Sequence, residues 1–155
     1  HCGPRAILLM AESAGVTIDP DELWTRFERH FSVNPALSGA IAVSSLIDMA
    51  RAFGLAETVD VTHDVRRAEL ALGDARVTGV LLSWERARLQ KYESTSEEIG
   101  PHGHIAHLRR CIPGGDGAGF LEVMSPRWPG EPERLYLSMT DFDRMMAAFW
   151  IFYRP

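Results

Sequence analysis

The spacing of apolar residues changes period near the middle of the chain, and this change limits the fold more than any other feature. As far as Leu72 apolar side chains recur at helical spacing, whereas from Val77 onward they form short runs of strand length. Asp19-Pro20-Asp21-Glu22 is a helix-capping sequence leading into Leu23, Trp24 and Phe27. A helix over 38–53 is expected from Ile41, Leu46, Met49 and Phe53, with Gly54 as its stop. A shorter one runs from an Asp64 cap to Leu72. Strands are expected over Val77–Leu82, His104–Cys111, Gly119–Met124, Leu135–Leu137 and Phe149–Phe152. Thr140-Asp141 caps a last helix through Ala148, and the polar segment 85–101 reads as a loop or short helix. Helices first and an antiparallel sheet afterwards spell α+β.

Residues 1–155 are enough for one domain with a real core. A net charge of −5 and the lack of any basic run argue against a nucleic-acid partner or an anionic membrane surface. No apolar stretch has the length of a transmembrane helix. Two cysteines, Cys2 and Cys111, do not make a disulfide scaffold, and a reducing compartment is the natural reading. A Cys2–Cys111 bridge competes with any reading that needs Cys2 as a thiol. The chain starts at His1 without an initiator Met, which suggests a piece of a longer protein, with other domains as possible partners.

His1-Cys2-Gly3-Pro4 runs directly into the apolar stretch Ala6–Ala11, which ends at Gly15. A cysteine at the mouth of a helix meets unpaired backbone N–H groups and the positive end of the helix dipole, and both favour thiolate. Pro4 suits the first turn, where a missing N–H costs nothing. A nucleophilic thiol needs a nearby base, and His104 is the best placed of six histidines. Gly103-His104 stands where the long polar segment gives way to a strand, so the ring can face a cleft while its backbone is held in a sheet.

This order of motifs resembles the papain-like cysteine peptidases. Cys-Gly-Pro opens an apolar helix, Gly-His opens a strand, and the next strand ends in a residue-Pro step before a capped helix and an aromatic strand. Among these proteins the chain is most similar to the bacterial peptidases that cut bacteriocin precursors after a double-glycine leader, and to related deamidase and toxin domains. The likeness spans Cys2 to Phe152 and includes Leu46…Ala52-Phe53-Gly54-Leu55 and the run Val77–Trp84. It implies a papain-like α+β fold, with a helical part carrying Cys2 packed on an antiparallel sheet carrying His104. It implies Cys2 as nucleophile and His104 as general base. The third member is normally an Asp or Asn before Pro; here the step reads Ser125-Pro126. A serine hydroxyl can orient the ring but cannot offset imidazolium charge. Glu122 and Asp116 are nearby carboxylates that could substitute. The glutamine that usually completes the oxyanion hole would precede residue 1. Gly3, Gly103 and Trp128, the last in a Pro-rich loop, are expected to line the substrate cleft.

The resemblance implies a peptide or protein substrate, no cofactor and no metal. It implies a bacterial cytoplasmic location, or delivery to a target-cell cytosol if the domain is an effector. Attack on a main-chain amide makes a peptidase, and attack on a glutamine side chain makes a deamidase. A catalytically dead relative that binds peptides is a third reading, with Ser125 as its mark. His102, His104, His107 and Cys111 invite a metal reading, but strand alternation opposes it, since His104 and His107 should point to opposite faces.

Overall fold

The computed structural model describes residues 2–31, 43–85, 103–115, 119–126, 130–142 and 148–155. In chain order the elements are α1 (Cys2–Ser13), α2 (Pro20–Phe31), α3 (Val43–Ala52), β1 (Thr58–Thr62), α4 (Val65–Leu72), β2 (Val77–Glu85), β3 (Gly103–Ile112), β4 (Phe120–Ser125), β5 (Glu133–Ser138), α5 (Met139–Phe142) and β6 (Ala148–Tyr153). The protein is α+β, with a six-stranded antiparallel sheet in the order β1-β6-β2-β3-β4-β5.

The helix ends are written locally. Asp19 accepts the Asp21 N–H at 2.9 Å, and Pro20 takes the first helical position of α2. Asp64 caps α4 by accepting from the Arg66 N–H at 2.9 Å. The helices α1 and α3 both stop on a left-handed glycine, Gly15 at φ 73° and Gly54 at φ 71°. After each, the next residue reaches back to the last turn, Val16 N–H to the Ala11 carbonyl and Leu55 N–H to the Ala50 carbonyl, both at 2.9 Å. This closure satisfies carbonyls that the helix leaves open.

Two apolar clusters lie on the two faces of the sheet. On one face α1, α2 and α3 contribute Ile7, Met10, Leu23, Phe27, Leu46 and Met49, packed with Leu81, Ile105 and Phe152. On the other, Ala68 and Ala71 of α4 meet Val80, Leu82, Ala106, Leu108, Leu121, Val123, Phe149 and Ile151. Because β2 is covered on both faces, every residue from Val77 to Leu82 is buried, which explains its unbroken apolar run. Gly79 permits the closest approach of α1. A Cβ there would stand 2.5 Å from Cγ of Met10.

Two readings need correction. Strand β1, Thr-Val-Asp-Val-Thr, was not foreseen; among the described strands it lies at the edge, bonded only to β6. The last helix does not reach Ala148, where β6 already begins; its described part is the single turn α5. The helix expected over 38–53 is described from Val43, and 38–42 lie outside the described residues, as does most of the polar segment 85–101. Among the described residues no helix is long and apolar enough to cross a membrane.

Candidate active site

His104 is the second residue of β3 and stands opposite Trp84 of β2. Its ring is buried, 4% exposed, and its Nε2 lies 2.7 Å from the hydroxyl of Ser125, the last residue of β4. The indole of Trp84 meets the imidazole edge-on, with ring centroids 5.1 Å apart and planes at 67°. Alternation along β3 puts His104 on the face of Ala106 and Leu108, and along β4 it puts Ser125 on the face of Leu121 and Val123. Both side chains therefore share one sheet face. If the Nε2–H donates to Ser125, the other ring nitrogen, Nδ1, is the basic one, and it is the atom a thiol would use.

Cys2 opens α1, and its side chain lies outside the described residues. The course of the helix still fixes which end of the sheet it approaches. Met10 rests on Gly79, and Ser13 and Ala14 share a cavity with His107 and Arg109. Going back from Met10 to Cys2 covers about 12 Å of helix. Going back from His107 to His104 covers about 10 Å of strand. At its N-terminal end α1 places Arg5 in a second cavity, of about 290 Å³, with Pro126 and Pro132. Pro126 directly follows Ser125, so the first turns of α1 and the His104–Ser125 pair occupy the same end of the sheet. The helix rests on the opposite face, that of Ile105 and Leu81.

The other expected site residues fare differently. Gly3 is buried in the first turn of α1, and Gly103 opens β3 opposite Glu85. Trp128 and Asp116 lie outside the described residues. Glu122 does not replace the missing acid. It lies on the face opposite Ser125, where it is buried and forms ion pairs with Arg110 and, at 3.2 Å, with Arg134. Cys111 is a free thiol, so the structure does not contain the Cys2–Cys111 bridge. Burial, with the Glu69 carboxylate adding to it, pushes that thiol up to about 11, far from the thiolate form. His104 and His107 do point to opposite faces of β3, and His102 lies outside the described residues.

Trp84 was not singled out from the sequence, although a tryptophan closing an apolar strand beside the histidine strand was its visible signal. No protein-family model, curated protein or solved structure matches the chain.

Proposed function

We propose that the protein is a thiol-dependent amide hydrolase of papain-like architecture, with Cys2 as nucleophile, His104 as general base and Ser125 as the group that orients the imidazole. The observation that carries this reading is the buried Nε2–Oγ hydrogen bond at the end of the sheet approached by the first turns of α1. In this reading the thiolate attacks an amide carbonyl and a tetrahedral oxyanion forms. His104 then protonates the departing amine, and water resolves the thioester. The Cys2 backbone N–H at the helix mouth supplies one oxyanion donor. A peptide bond is the first substrate class, and a glutamine side chain is the second, since the same residues serve both.

A peptide-binding relative without turnover is the competing reading, favoured by the uncharged third member. The test is the pH dependence of Cys2 alkylation, followed by mass spectrometry in the parent and in His104→Ala. A thiol that reacts rapidly at neutral pH or below, and loses this behaviour in the variant, supports the hydrolase. A thiol that titrates near ~8.5 in both proteins ends the hydrolase reading and leaves the binding module.

A further inference from the structure

The end of α1 remote from Cys2 borders a cavity of about 340 Å³, within the size range of small-molecule sites. The ends of α1 and α4, the start of β2, the middle of β3 and Arg154 enclose it. His107 lines it and is only 3% exposed. The ring's Nε2 edge lies against Gly79, while Nδ1 is buried and has no hydrogen-bond partner among the described residues. An orphaned polar atom of this kind is costly in a folded protein. Burial and the nearby Arg109 guanidinium hold the ring down to about 4, so at neutral pH it is uncharged and one nitrogen carries a proton.

The charges around the cavity do not cancel. Asp74 is its one acidic lining residue, and that carboxylate is already taken by Arg76, with the shortest contact at 2.7 Å. Arg109 has no acidic partner among the described residues. Arg154 spends its Nε on the Ala75 carbonyl at 3.1 Å, which leaves its two terminal nitrogens. Both helix ends here are C-terminal and oppose an anion, each with roughly half a charge. Their last carbonyls are tied up by turn hydrogen bonds, including Val16 N–H to Ala11 and Asp74 N–H to Ala71. Two whole guanidinium charges outweigh them.

We propose that this cavity binds a small soluble oxyanion, the phosphate or carboxylate group of a ligand held by Arg109 and Arg154 with the His107 imidazole as a neutral donor behind it. The site is separate from Cys2 and His104 and does not depend on the hydrolase reading.

The test is an NMR titration of the His107 ring resonances with inorganic phosphate and, in a second series, with citrate, each against sodium chloride at matched ionic strength. A saturable shift with either probe, absent with chloride, is the expected result. Phosphate alone, citrate alone or both then identify the preferred oxyanion. Arg109→Gln, at an exposed position with no ion-pair partner among the described residues, is expected to weaken binding about tenfold while the thermal midpoint stays within 2–3 degrees, roughly the range for a surface substitution. His107 resonances that stay still, or follow ionic strength alone, overturn the proposal, as does an Arg109→Gln variant that binds as the parent does.

Discussion

In the proposed hydrolase, Ser125 is the residue on which the chemistry turns. Its hydroxyl fixes the His104 ring at 2.7 Å, but a neutral group cannot stabilise imidazolium as a carboxylate would. Ser125→Ala is expected to slow Cys2 alkylation at pH 7 by about fivefold, the worth of one neutral hydrogen bond of about 1 kcal/mol. Ser125→Asp should instead stabilise the imidazolium and extend the reactive thiolate to lower pH, read from alkylation rates across pH. His107 makes a prediction of another kind. Its folded pKa, about 4, lies below the ordinary 6.5. Between these values the unfolded chain takes up a proton that the folded protein refuses. Stability present above pH 6.5 is therefore lost as pH falls toward 4, by about 3 kcal/mol at most. Denaturant unfolding from pH 7 to pH 4 should show this slope, and His107→Phe should remove much of it.

Among the elements, the contact between α1 and β2 is the least tolerant. Gly79→Ala would press a methyl onto Cγ of Met10 and should destabilise by about 1–3 kcal/mol in chemical denaturation. The cost should fall when Met10 is also shortened, because the two positions couple. Gly15→Ala forces a left-handed backbone on a residue with a Cβ and should cost roughly 1–2 kcal/mol, read the same way. These elements differ in how far the sequence revealed them. The caps at Asp19 and Asp64 were legible because a side chain two residues from its target acts locally. So were β2 and β6, whose apolar runs match strands covered on both faces or nearly so. Strand β1 escaped because an edge strand buries little. Val59 is half-buried and Val61 is 46% exposed, so its alternation carried no clear inside face. The last helix was carried one residue too far, because Ala148 has no side-chain signal that separates a helix end from the start of β6. The pairing of His104 with Ser125 was legible through the order of motifs. The burial of His107 and the capture of Glu122 by two arginines arise from cross-strand neighbours, which the linear sequence does not display.

For the whole molecule, the decisive feature is the place of β6. Among the described residues β1 pairs with no strand but β6, and β6 pairs in turn with β2, so β6 stands between the first two strands. Removing residues 148–155 should leave no cooperative unfolding transition by circular dichroism, because Phe149 and Ile151 leave one core and Phe152 the other. The same arrangement sets an order of events during synthesis. The helices and β1 emerge from the ribosome well before the strand that locks them in place, and their apolar faces must wait for it. A nascent chain stalled before Ala148 would display sticky surface to chaperones and proteases, and emergence of β6 would act as the trigger for folding.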